Sequence, residues 1–173
     1  FHAPKGIGAL YVKKGILLPP LILGGHQEKG LRPGTENVSG IIGMGEAANL
    51  AKSALNDENT RVKNLRDELE RGIVKKVYNA RINCSKAPRV PNTSNISFEY
   101  IEGELMLLHF ADAGICASSG SACTSGSLEP SHVLKAMGIP FTCLHGSIRF
   151  SLSRFTTQAD IDYTLKTIPP IIE

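Results

Sequence analysis

Val62, Leu65, Leu69, Ile73 and Val77 recur at spacings of 3, 4, 4 and 4 beneath an otherwise charged stretch. That is a single buried helical face, and it predicts a helix over about residues 57–77 that needs a second layer to pack against. The period then changes. Ile96, Phe98 and Tyr100 alternate with polar residues, as do Ile148, Phe150 and Leu152, the signature of strands with one buried face. Helical spacing returns over 102–113, through Leu105, Leu108 and Phe110–Ala111, and over 158–168, through Ile161, Leu165 and Ile168. Upstream, a helix is expected from near Val38, carrying Ile41, Ile42, Met44, Ala47, Ala48 and Ala51. Residues 7–12 and 18–23 read as two strands, the first followed by a turn at Lys14-Gly15, and Gly24 to Gly34 as a glycine-rich loop. This order predicts an α/β segment over 1–50, a connecting helix over 51–77 and an α+β domain over 78–173. The sequence starts at Phe1 without a methionine and stops in an apolar segment. It therefore reads as the later part of a longer protein, the alternative being a processed small domain.

With 42% hydrophobic residues there is enough apolar material for a core. Lys plus Arg exceed Asp plus Glu by 19 − 16 = 3, too little to call for a nucleic-acid or membrane-surface partner. No apolar run approaches the roughly 20 residues of a spanning helix. The four cysteines, at 84, 116, 123 and 143, contain no C-x-x-C pair. They are too sparse for a disulfide scaffold, and a reducing cytoplasm is the expected compartment.

Chemistry concentrates in Ser118–Ser127, SSGSACTSGS, where one thiol lies amid small polar residues with no bulky apolar neighbour. A structural cysteine packs as a small hydrophobe. Cys116, between Ile115 and Ala117, fits that role, and nothing argues against it for Cys84 or Cys143. Cys123 does not fit it. Its glycines and serines predict an exposed loop able to swing. No Lys, Arg or His lies within eight residues of it, so activation of a Cys123 thiolate has to come from elsewhere in the fold or from the substrate. Arg149 shares the off-core face of its strand with Ser151 and Ser153. It could clamp a carboxylate through two parallel hydrogen bonds, or be a solvated surface arginine. The run Arg32-Pro33-Gly34-Thr35-Glu36-Asn37 could present a hydroxyl and N–H groups to a phosphate, or simply cap a helix. The five histidines show no metal-ligand spacing. His109, in an apolar helix, reads as a core residue, and Glu102 and Glu104 read as a helix start.

Four segments taken together, Phe1–Gly8, Gly24–Val38 (GGHQEKGLRPGTENV), Ser118–Ser127 and Ser147–Phe155 (SIRFSLSRF), resemble the cysteine desulfurases. The similarity is to the class with a long cysteine-bearing loop, and within it to the NifS branch. The resemblance implies an aminotransferase-like pyridoxal-phosphate fold, of which this chain supplies the end of the large domain and the small C-terminal domain. It implies conversion of L-cysteine to L-alanine, with the sulfur left as a persulfide on Cys123. Thr35 would reach the cofactor phosphate of the other subunit of a homodimer, Arg149 would hold the substrate carboxylate, and His26 and Arg32 lie in the same motif as Thr35. The Schiff-base lysine would fall immediately before Phe1, with the ring-contacting histidine and aspartate further upstream. Lys5 matches a different lysine, in a Pro-Lys-Gly turn. An iron–sulfur scaffold protein is the implied sulfur acceptor, which makes Cys123 a candidate ligand of a shared cluster.

In the chemistry the resemblance implies, the coenzyme would supply a sink for electrons released at the substrate's Cα, which loosens the bond from Cβ to sulfur. A thiolate then attacks the substrate sulfur, as in thiol–disulfide exchange, and must carry it away. A cysteine with two destinations needs a loop. Rival readings are a selenocysteine lyase or aminotransferase of the same fold, and a sulfur-carrier or scaffold domain without catalysis of its own.

Overall fold

A computed structural model describes residues 1–119 and 130–173. These separate into two compact units, Phe1–Leu55 and Asn56–Glu173.

The first unit is loop followed by helix. A 3-10 turn at Gln27–Gly30 precedes helix α1, Val38–Asp57. Asn37 starts that helix: its Oδ1 accepts from the Gly40 amide at 3.1 Å and from the Ser39 hydroxyl at 3.2 Å, the capping role expected of Asn. Residues 7–12 and 18–23 form no strands. A ladder needs a partner for every N–H and C=O, and Pro19 and Pro20 remove two donors from the second run. Leu10, Tyr11, Leu17, Leu21 and Leu23 are all exposed, and only Gly40 and Ala47 of this unit are buried.

The second unit contains the core. After a π-helical turn at Glu58–Val62 come α2 (Lys63–Lys76), β1 (Ala80–Ile82), β2 (Thr93–Phe98), α3 (Gly103–Asp112), β3 (Ser118–Ser119), α4 (His132–Ala136), α5 (Phe141–Leu144), β4 (Ser147–Ser151) and α6 (Gln158–Ile172). The expected stripe is buried in full: Val62, Leu65, Leu69, Ile73 and Val77 join one cluster with Ile96, Phe98, Ile148, Phe150, Leu152, Ile161 and Ile168. The helix read as a connector is therefore part of this core. It starts at Lys63 because the turn before it is widened. There the Thr60 hydroxyl bonds the Asn56 carbonyl at 2.7 Å, while Arg61 grips Asp57 and reaches the carbonyls of Arg154 and Thr156.

The strands form one antiparallel sheet in the order β1-β2-β4-β3. Tyr100 falls outside β2 in a left-handed turn at φ 63. Helix α3 buries Gly103, Met106 and Phe110, so Leu105, Leu108 and His109 are exposed. The reading of His109 as a core residue is overturned, because it lies on the face of α3 away from Phe110. Helix α6 opens with a reciprocal box: the Asp160 amide donates to Thr157 Oγ1, and the Thr157 amide to Asp160 Oδ2. It also runs past its expected end at Ile168, through Pro169 and Pro170. Pro169 has no N–H to give the Leu165 carbonyl, and Lys76 Nζ takes that place at 2.8 Å. Where α2 meets α6, a Cβ on Gly72 would lie 2.5 Å from a Leu165 methyl, so glycine sets how close these helices come.

Candidate functional site

The sheet has two unlike faces. Ile96, Phe98, Ile148 and Phe150 point into the core. Alternation puts Thr93, Asn95 and Ser97 of β2, and Ser147, Arg149 and Ser151 of β4, on the other side. Part of that polar face is covered by α4. Between them lies a cavity of about 330 Å³ whose lining includes Asn83, Cys84, Arg89, Asn95, Ser131 and Arg149.

From Asn83 and Asn95 in the cavity lining, a directed hydrogen-bond chain runs back into the sheet. Asn83 Nδ2 donates to Asn95 Oδ1 at 2.6 Å and to Ser97 Oγ at 2.7 Å. Ser97 and Ser147 share a 2.5 Å hydroxyl contact, and Ser147 donates to the Cys143 carbonyl. The wall is tied to α2: Arg89 makes a bidentate pair with Glu70, both bonds 2.6 Å, and Arg66 donates to the Val90 carbonyl at 2.9 Å. That pairing holds the Arg89 guanidinium above its ordinary pKa, first through the hydrogen bonds it donates to the Glu70 carboxylate. Of the two arginines lining the cavity, Arg89 is thus compensated. Arg149 is exposed, and its guanidinium has no hydrogen bond or ion pair among the described residues.

Cys123 lies outside the described residues, but the chain on both sides of 120–129 is described. Ser118 is the β3 partner of Arg149, and Ser119 that of Ile148. On the far side, Ser131 lines the same cavity as Arg149. Both roots of the cysteine-bearing segment therefore flank the unpaired guanidinium.

The other expected site residues lie in the first unit. His26, Arg32 and Thr35 are all exposed. Gln27 Oε1 accepts from the Gly34 amide and Asn37 serves as the helix cap, which leaves the Thr35 hydroxyl unengaged among the described residues. A free hydroxyl of this kind is a donor that a phosphate group could accept from. The cap explains the Asn37 end of the motif without involving Thr35.

Two cysteine expectations are corrected. Cys84 and Cys116 are exposed; Cys143 alone of the three described is buried. Cys84 sits at φ 59, outside any regular element, and Cys116 just precedes the sheet edge, so neither packs as a small hydrophobe. The sequence reading missed Asn83, Asn95 and Arg89. The signal for Asn95 was present: it occupies an off-core position of a strand already recognised. Among the described residues no cluster of His, Cys, Asp or Glu could hold a metal, and no helix is long and apolar enough to cross a membrane.

Comparison with known proteins fits this architecture. Residues 1–164 match the family described as aminotransferase class-V. A cysteine desulfurase of Gluconacetobacter diazotrophicus is 61% identical over 171 residues, covering 99% of this chain and 43% of that protein. The cysteine desulfurase NifS of Azotobacter vinelandii is 56% identical, over 99% of this chain and 42% of its own length. A solved structure titled NifS-like protein superposes with a TM-score of 0.86 at 37% identity, over 99% of this chain and 44% of its own. The chain thus spans less than half the length of the relatives it matches.

Proposed function

Because this chain belongs to the class-V aminotransferase family, we propose that it is the C-terminal part of a pyridoxal-phosphate-dependent cysteine desulfurase that converts L-cysteine to L-alanine and takes the sulfur as a persulfide on Cys123. The observation that carries this reading is the register of Arg149. An uncompensated guanidinium sits between the two roots of the segment that bears Cys123, and only four positions separate Ser119 from that cysteine. Relatives at 61% and 56% identity carry the name cysteine desulfurase, which supports the same chemistry here.

In this reading Arg149 binds the α-carboxylate of L-cysteine in a bidentate fork and so fixes which way the side-chain sulfur faces. Thr35 donates its hydroxyl to the coenzyme phosphate of the other subunit in a homodimer, with His26 and Arg32 in the same sequence motif. The coenzyme, when bound, supplies the electron sink that loosens the bond between substrate Cβ and sulfur. The Cys123 thiolate attacks that sulfur, and the Cβ–S bond breaks with its electron pair left on the carbon side. Cβ takes up a proton to become the methyl group of L-alanine, and the new S–S bond stays on the protein. An iron–sulfur scaffold protein in the cytoplasm then receives the sulfane sulfur, and Cys123 serves as shared cluster ligand during the handover.

The test uses the full-length protein carrying this chain. Adding L-cysteine yields alanine and a Cys123 peptide heavier by one sulfur atom. Cys123→Ala loses the persulfide while the visible absorption of bound coenzyme persists. Undiminished sulfur transfer by that variant would refute the assignment.

A further inference from the structure

We propose that Asn95 is a positioning residue for Arg149, held in place by Asn83, and so helps set the affinity for the amino-acid carboxylate. The inference rests on the reading of Arg149 as the carboxylate clamp, and it concerns what aims that clamp.

Phe98 N bonds Gly146 O at 3.0 Å, and Leu152 N bonds Asn92 O at 2.7 Å. In an antiparallel ladder bonded and unbonded pairs alternate, so Asn95 and Arg149, which are register partners, form an unbonded pair. That is the kind whose side chains stand closest, with Cα atoms about 4.5 Å apart. Asn95 is itself pinned at both ends. Its Oδ1 accepts from Asn83 at 2.6 Å, and its Nδ2 donates to the Ile148 carbonyl at 3.3 Å. The Ile148 carbonyl belongs to the peptide that carries the Arg149 nitrogen, so the amide of Asn95 steadies the backbone from which Arg149 springs. Asn83 is only 3% exposed, which makes it a fixed anchor for the pair. Arg149 has no side-chain partner of its own among the described residues. A rigid amide on its β2 flank, with Ser118 as its β3 partner, keeps its long stem from spreading across the sheet before substrate arrives. Pre-ordering one flexible side chain is worth about three- to tenfold in affinity.

The experiment is a double-mutant cycle in the full-length protein loaded with its coenzyme: Asn95→Ala, Arg149→Ala and the double variant, each with KM and kcat for L-cysteine. The expected result is a KM raised about fivefold by Asn95→Ala with kcat within about twofold. In the Arg149→Ala background the same change adds nothing, because there is no longer a clamp to aim. Equal KM increases in both backgrounds overturn the proposal, as does an unchanged KM or a loss confined to kcat. If instead Arg149→Ala itself leaves KM unaltered, the clamp reading fails and takes this one with it, a pattern distinct from the others. Should Asn95→Ala not fold, Asn95→Thr, which a strand accepts readily, is read by the same criteria.

Discussion

At the scale of single residues, the pair Glu70–Arg89 shows how the cavity wall is held. Glu70 keeps 5% of its side-chain surface and Arg89 19%, so this is an ion pair largely removed from water. Removing one partner strands the other charge, which costs about 3 kcal/mol in such settings, whereas replacing both with apolar groups is close to neutral. Arg89→Ala is therefore expected to lower the urea midpoint strongly, and Glu70→Leu combined with Arg89→Met to restore most of it. Equal destabilisation by the single and double variants would show that packing rather than charge is at stake. Neither residue was legible in the sequence as a pair, because 19 positions separate them and nothing in their own surroundings marks either one. Arg149 was legible because a strand's alternation declares which face it occupies. That its β3 neighbour is Ser118 was not, since a two-residue strand carries no period.

At the scale of elements, the helices were read well where they bury a stripe and poorly where their ends depend on side-chain bonds. Residues 62–77 declared their buried face completely. The widened turn before them, made by the hydroxyl of Thr60, leaves no trace in hydrophobic spacing. The start of α6 is the converse case, since Thr157 and Asp160 carry the spacing of a reciprocal box. The hydrogen bonds from Thr157, its backbone amide first, hold the Asp160 carboxyl below its ordinary 3.8. A carboxyl with a lowered folded-state pKa contributes stability that is present above its unfolded value and lost as pH falls through the folded one. Thr157→Ala is thus expected to lower the melting temperature by about 2–4 °C near neutrality. The gap to the parent should narrow below pH 3.8, as thermal scans across that range would reveal. A gap that stays constant into acid would mean that the Thr157 hydroxyl does not act through the Asp160 carboxylate.

For the molecule as a whole, the two units differ in kind. The unit Asn56–Glu173 holds all of the principal apolar cluster, whereas Phe1–Leu55 buries only Gly40 and Ala47. Burial of apolar area is what offsets chain entropy, so the fragment 56–173 is expected to unfold cooperatively by itself and the fragment 1–55 to show no transition. Circular dichroism of the two pieces checks this, and a sharp transition in 1–55 would contradict it. The α+β character of the later part could be read from its alternations. The strands expected over 7–12 and 18–23 do not form, because a strand depends on a paired neighbour and the described residues offer them none. The sheet itself, greasy behind and amide-lined in front, acts as a partition between two design problems. On the reading proposed above, libraries that diversify positions 93 and 131 of the cavity lining can be screened for new amino-acid preferences with Arg149 and its Asn95 support kept, while hydrophobic repacking proceeds independently on the reverse side.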